Sequence, residues 1–289
     1  MPHKGLKEGP FSPVTLEPQQ ISRVRCRPIA DSDLDGLADL LARGFPGSRR
    51  SYWTQGFARW QQMPVIEGVP RYGYLLEGGI GPVGVILLIS SKRGEQIIAN
   101  LSSWYVEPQW RSHSSLMITT ATKLKHVTYL NASPAPHTWR TLQAQGFEPY
   151  NFGRSAIFAL PGRGHVSETI PDHLPEAQLL HDHRKLGWIS LIVEKDGIVS
   201  PFVFKPRKLD KPKVAMMDVM FARSPDDLRR CAPALARHFL PRGSLGFLMD
   251  GDMEGLLSHY VEGKEPRYFK GPHRPVLGDL AYTEKVIFG

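Results

Sequence analysis

One stretch, Leu101-Ser-Ser-Trp-Tyr-Val-Glu-Pro-Gln-Trp-Arg-Ser-His-Ser-Ser-Leu-Met, limits the possible folds of this chain more than any other. Its first part, up to Val106, reads as the end of a strand. Pro108 stops that strand, because proline cannot donate to a ladder. Ser112 to Ser115 then place hydroxyls where a helix needs caps, and Leu116 to Lys125 reads as that helix. A strand passing through a serine-rich turn into a helix turns backbone N–H groups outward at the positive end of a dipole. Such a turn favours a pyrophosphate, and Arg111 and His113 add positive charge beside it.

The surroundings of this turn are readable from periodicity. Val24 to Ile29 is a short strand. Asp31/Ser32 then cap a helix with apolar Leu34, Leu37, Ala38, Leu40 and Leu41, and Gly44 stops it. Tyr52, Trp53, Phe57 and Trp60 have helical spacing and read as a core-facing stripe. Arg71–Glu77 and Pro82–Ser90 form a hairpin, and Ile97–Val106 is a third strand. Beyond the turn come a strand over Val127–Asn131, a helix over Thr138–Ala144, and strands from Gly146-Phe147 to about Leu160. The order β-α-α-β-β-β-α-β-α-β predicts an α+β sheet with added helices, not a βαβ repeat.

Pro161-Gly-Arg-Gly-His165 reads as a linker, and the element order then partly repeats. A helix (Asp172–Leu186) precedes a hairpin (Trp188–Glu194 and Ile198–Lys205, turning at Lys195-Asp196-Gly197) and a strand (Val214–Phe221). A helix (Pro225–Phe239), a strand (Leu245–Asp250), a helix (Met253–Val261) and a closing strand (Leu280–Phe288) follow. The chain thus divides into an N-terminal arm (1–21), a module (22–160), a linker (161–171) and a second module (172–289).

Composition excludes several classes. With 289 residues, 41% apolar and 22% charged, the chain suits a globular protein rather than a disordered or fibrous one. Cys26 and Cys231 lack zinc-type or disulfide-framework spacing, which points to a reducing cytosol and a cytoplasmic protein. His181-Asp-His183 reads as a solvated helix end, since i, i+2 histidines on a helix face different ways; no metal site is expected. Ile80 to Ile89, the longest apolar run, is far short of the ~20 residues that span a bilayer, so no membrane association is expected. The first 20 residues lack the apolar core of a secretory signal. The formal charge of +8 suggests a polyanion or an anionic ligand as partner.

The Leu101–Met117 stretch resembles motif A of the GNAT superfamily of acyl-CoA-dependent acyltransferases, where a strand ends in V-x-P-x-x-R-G-x-G-x-G/A and enters a helix. Val106, Pro108 and Arg111 match, while Ser112, Ser114 and Leu116 stand at the small-residue positions. Asn131, the helix after it and Gly146-Phe147 resemble motif B of that superfamily, with Leu142 where many members carry a tyrosine. The hairpin Tyr74–Ser90 resembles the strand pair before motif A. The resemblance covers residues 22–160. Val219 to Arg230 holds the equivalent place in the second half without the glycines, and Asp226 and Asp227 would repel a pyrophosphate. The implied architecture is two GNAT-like modules, the second degenerate, each a mixed, mostly antiparallel sheet flanked by helices.

The resemblance implies acetyl-CoA or another acyl-CoA as co-substrate. It would be held by Trp104, Tyr105, Val106, Arg111, Ser112, His113, Ser114, Ser115 and Asn131. The pantetheine arm would lie along Trp104 to Val106, where a strand N–H polarises the thioester carbonyl. Tyr105 and His137 are the candidates for proton transfer, and the sequence distinguishes neither. Arg267, Tyr268, Lys270 and Arg274, in a proline-stiffened loop, are expected to bind an anionic acceptor, a small molecule or peptide, or to cover the cleft. Two other readings stay open. One is a Fem-type aminoacyl transferase using tRNA, which the basic surplus suits; the other is a non-catalytic binding protein that kept the fold. A DNA-binding protein would need a recognition helix or zinc module, and neither is found.

Overall fold

Apolar spacing sets the first two helices. In α1 (Leu34–Gly44), Leu34, Leu37, Ala38, Leu40 and Leu41 are buried on one face. In α2 (Arg50–Trp60) the buried stripe is Trp53, Gly56, Phe57 and Trp60. These helices follow β1 (Arg25–Pro28) and cover β2 (Gly73–Gly78), β3 (Gly81–Arg93) and β4 (Gln96–Val106). Then come α3 (Ser114–Ala121), β5 (Val127–Asn131), α4 (Trp139–Ala144) and β6 (Glu148–Phe158), in the order the sequence predicts. This computed structural model describes residues 24–79, 81–210, 213–253 and 257–288. The expected N-terminal arm, 1–21, lies outside the described residues.

The second half begins with β7 (His165–Ser167), α5 (Ala177–Lys185), β8 (Ile189–Lys195) and β9 (Ile198–Asp210). It continues through β10 (Lys213–Ala222), α6 (Pro225–Phe239), β11 (Ser244–Asp250) and β12 (Leu257–Lys270). A 3-10 helix over Leu277–Tyr282 and the short α7 (Glu284–Ile287) complete the described chain. The β8–β9 turn falls at Asp196-Gly197, both at positive φ (54° and 73°), as the Asp-Gly pair predicts.

The twelve strands among the described residues join one sheet in the order β1-β2-β3-β4-β5-β12-β6-β11-β10-β9-β8-β7. Among the described strands, β4–β5 and β10–β11 are the parallel pairs; each encloses a crossover helix, α3 or α6. Read inward from either edge the sheet repeats itself, with the last strand of each half exchanged: β6 pairs with β11, and β12 pairs with β5. The α+β class and the mixed, mostly antiparallel sheets follow the sequence expectation, and the two half-sheets are continuous through β6–β12. Helices α1 and α2 pack on one face of the first half and α3 on the other; α5 and α6 divide the second half likewise. No helix among the described residues is long and apolar enough to cross a membrane.

Four expectations need correction. The helix expected over Met253–Val261 is a strand from Leu257, because pairing with β6 from Leu257↔Phe158 onward satisfies its backbone. The proline-stiffened loop continues that strand to Lys270. The closing strand over Leu280–Phe288 is the 3-10 turn and α7, whose Ala281, Val286, Ile287 and Phe288 are buried against the cores under α2 and α5. The stretch 161–171 carries an edge strand, β7, on β8.

Candidate functional site

The strand before the turn is irregular where chemistry would need it. Against β3, Leu87 faces Ser102 and Val85 faces Tyr105, so β4 carries one extra residue. Ser103 takes up the bulge with φ of +50°, an uncommon conformation outside glycine. The parallel pairing with β5 stops at Asn100↔Leu130 while β4 continues to Val106. A fork therefore opens between the two strands, with the bulge on its inner side.

Beyond the fork, Pro108–His113 coils into a 3-10 helix that runs straight into α3. Trp110 N–H donates to Glu107 C=O (2.8 Å), and Ser114 N–H donates to Arg111 C=O. Trp110 tucks against the α3 core, with its ring 6.0 Å from that of His113. The Ser112 hydroxyl lies 3.2 Å from His113 Nδ1. Among the described residues no side chain caps α3, and no acid stands in its first turn. Arg111, Ser112 and Ser115 are exposed beside it. This end of α3 combines an uncapped start, a favourable dipole and a guanidinium, which fits a pyrophosphate without glycines.

The other face of the fork is polar for a different reason. Ala99 and Leu101 point into the α3 core, so strand alternation turns Asn100 and Ser102 to the opposite side. There the C-terminal tail brings Glu284, whose carboxylate accepts from Asn100 Nδ2 and the Ser133 hydroxyl. Asn100 Oδ1 in turn accepts from Ala132 N–H (3.3 Å), tying Glu284 to both prongs of the fork. Tyr52 of α2 lies close enough for this charge to act on it: burial first, then the Glu284 carboxylate, push its phenol above its ordinary value.

The tail is firmly anchored. Arg93 Nη1 binds Asp279 (2.6 Å), and Trp188 Nε1 donates to Val286 C=O (3.2 Å). Phe288 enters the aromatic stripe of α2, 5.3 Å from Trp53 and 5.9 Å from Phe57 between ring centres. A Cβ at position 56 would lie 2.0 Å from the Phe288 ring, so Gly56 provides the notch. His183 lies within hydrogen-bond distance of Leu179 C=O (2.7 Å) and Ala281 C=O (2.6 Å). The histidine pair is thus no solvated helix end: His183 is buried and clasps the tail. Among the described residues no group of three His, Cys, Asp or Glu is placed to hold a metal.

The residues picked from sequence separate into distinct places. Arg111, Ser112, His113, Ser114 and Ser115 gather at the α3 end, and Trp104, Tyr105 and Val106 line the strand leading to it. Asn131 ends the opposite prong and is half-buried. Tyr105 packs beside Phe45 (6.2 Å) under the end of α1. His137 is exposed on the turn before α4. Arg267 and Tyr268 do not form a surface clamp. Arg267 is 2% exposed and bound to Asp250 and Ala132 C=O, while Tyr268 (5%) joins the α3-side core. Lys270 reaches Thr122 (3.4 Å), and the exposed Arg274 donates to Tyr150 C=O (3.4 Å). Strand alternation along β12 scatters what the sequence lists in a row. Glu284, Asn100, Ser133 and Tyr52 were not singled out; they meet only through the tail's docking.

No family model matches the sequence, and no curated protein matches it. Solved structures do. A Pyrococcus horikoshii protein provisionally described as an acetyltransferase superposes with a TM-score of 0.54 at 12% identity, over 97% of this chain and 96% of its own. A GCN5-related N-acetyltransferase from Anabaena variabilis gives 0.56 at 9% identity, over 86% and 72%. Another from Kribbella flavida gives 0.53 at 13%, over 86% and 71%. Together with the forked parallel pair and its crossover helix, these matches identify the architecture: the chain has the GCN5-related N-acetyltransferase fold.

Proposed function

We propose that this chain moves an acetyl or other acyl group from acyl-CoA to an amine or hydroxyl of a small-molecule or peptide acceptor, in a reducing cytosol. The observation that carries the reading is the open fork between β4 and β5 beside the uncapped, basic end of α3. The cofactor's pyrophosphate would rest on the first-turn N–H groups of α3, with Arg111, Ser112, His113 and Ser115 around it. Its pantetheine arm would follow Trp104 to Val106, with Asn131 across the fork. Bound acyl-CoA supplies an activated thioester carbonyl.

The acceptor approaches from the face that carries Asn100, Ser102 and Glu284. An ammonium must lose a proton before its nitrogen can attack, and Glu284 is the carboxylate held at that face. The nitrogen then forms its bond to the carbonyl carbon, the C–S bond breaks, and the second proton the nitrogen sheds passes to the departing thiolate or to solvent. The leaving thiol has an ordinary pKa near 8.5, so it departs as thiolate without an acid in the place Leu142 occupies. Leu142 is buried in the α3-side core.

Calorimetric titration with acetyl-CoA tests the reading on three proteins. The wild type should bind, and Arg111→Ala should weaken binding about tenfold, about 1.4 kcal/mol. Glu284→Gln should keep that affinity while acyl transfer, followed as thiol release, falls about 100-fold, as loss of a proton acceptor predicts. No binding at millimolar acetyl-CoA rejects the proposal. Silence towards acetyl-CoA with strong, salt-sensitive tRNA binding would favour the aminoacyl-transfer reading.

A further inference from the structure

A cavity of about 500 Å3 lies between the two halves on the tail side of the sheet, and its volume suits a small ligand. Trp60, Met63 and Ile89, from the core under α2, line it together with Leu179 and Phe221, from the core under α5. Tyr282 of the tail packs against both cores and completes the apolar wall. Packed interiors keep few voids larger than a water molecule, so a chamber of this size is more than a packing defect. Asn100, Ser133 and Glu284 do not line it, which separates it from the fork.

The charged side chains turned towards it are all engaged. Glu176 holds Arg223 through both oxygens (2.7 Å each), and Asp279 holds Arg93 (2.6 Å). Asp182 accepts from Gln178 (2.7 Å) and Tyr282 (3.2 Å). Arg71 donates to Gln61 C=O (2.6 Å) and lies over the Tyr72 ring. The Lys92 side chain points to the other face, because Lys92 pairs with Ile97, which packs against the α3-side core. The same alternation turns Ser91, two residues on from the buried Ile89, towards the cavity. Two uncharged groups of the lining, the Ser91 hydroxyl and the Trp60 indole N–H, have no hydrogen-bond partner among the described residues.

We propose that this cavity binds an uncharged, largely apolar molecule that carries a single oxygen, as an alcohol or a ketone. Its body would lie against Trp60, Phe221 and Leu179, and its oxygen would meet the Ser91 hydroxyl or the Trp60 N–H. An anion would find each facing cation already tied, and an ammonium each carboxylate, so either would leave water for a site without an open counter-charge. An uncharged molecule avoids that cost and gains from burying its apolar surface. The site stands on its own geometry and does not depend on the acyl-CoA reading.

Three ligands that share one ring system and differ in charge test it: naphthylethanol, naphthylacetate and naphthylethylamine, by thermal shift and calorimetry on the full chain. Naphthylethanol should raise the melting temperature and bind at least about tenfold tighter than either charged analogue. Met63→Trp, at a half-buried lining position in the loop after α2, fills part of the cavity. It should keep the unliganded melting temperature and lose naphthylethanol at least about tenfold. Ser91→Lys supplies the missing cation and should reverse the preference, so that naphthylacetate binds tighter than naphthylethanol. Acetyl-CoA titrations should read the same in both variants as in the wild type. Failure of naphthylethanol to bind, equal or tighter binding of a charged analogue by the wild type, or naphthylethanol binding untouched by both substitutions would overturn the proposal.

Discussion

The two crossovers, β4 to α3 and β10 to α6, are built on one plan and finished differently. Each strand carries one extra residue against its hairpin partner, between Ser102 and Tyr105 in one and between Val219 and Phe221 in the other. Each then crosses to a parallel neighbour. In the first, Glu107 and a 3-10 helix lead to a helix with no side-chain cap and no acid in its first turn. In the second, only Arg223 and Ser224 intervene. Ser224 Oγ accepts from Asp227 N–H (3.1 Å), and Asp226 and Asp227 fill the first turn. The tail closes over it, with Gly278 against Phe221 and Ala222. The scaffold is thus duplicated, but the second copy fills its helix start with a cap and two carboxylates and the first does not.

The largest effect should come from giving the first crossover the charge of the second. Ser115→Asp puts a carboxylate in the first turn of α3, where it complements the dipole and stabilises the free protein by ~0.3–1 kcal/mol. The same carboxylate repels a pyrophosphate, so acetyl-CoA affinity should fall more than tenfold, over about 1.4 kcal/mol. A higher melting temperature with weaker binding, from one substitution, is the expected signature. Unchanged affinity would mean the α3 end is not where the nucleotide rests.

The converse change is smaller. Ser224→Ala removes the cap of α6 and should lower unfolding free energy by about 1 kcal/mol in denaturant titration, leaving acetyl-CoA binding as in the wild type. If this variant gained affinity for acetyl-CoA, the second crossover would be a latent site and the contrast between the halves would be one of occupancy by its own cap.

The contrast was partly legible in the sequence, because it is local. Ser112 to Ser115 without an acid, against Ser224-Pro-Asp-Asp, is readable at the level of caps and charge, and so were the α1 stripe and the Asp196-Gly197 turn. What was hidden depends on pairing between distant segments. Arg267 and Tyr268 looked like a clamp because charge was dense in the chain. The exchange of β12 into the first half buries Arg267 against Asp250 instead. Glu284 gave no signal, since its placement follows from Phe288 entering the notch at Gly56, some 230 residues away. The last segment, Leu280–Phe288, was expected as a strand, and packing under α2 and α5 decided otherwise.

The smallest expected effect is a pH dependence confined to the second crossover. Arg223, just before the α6 cap, holds Glu176 through Nε and Nη2 (2.7 Å each). That bond, opposed by burial and helped by the arginine's charge, keeps the Glu176 carboxyl below its ordinary value. Because the folded value is the lower one, the unfolded chain binds the proton more readily, and stability rises with pH across that window. The contribution is complete above about pH 4.3, the ordinary glutamate value, and disappears as pH falls through the lowered folded value. For a pair at the surface it should amount to at most about 1 kcal/mol. Denaturant melts of wild type and Glu176→Gln between pH 3 and 7 measure it: the difference should shrink on acidification. A constant difference would place the clamp's value in packing rather than charge, and would leave Ser224 and the tail as what keeps the second crossover closed.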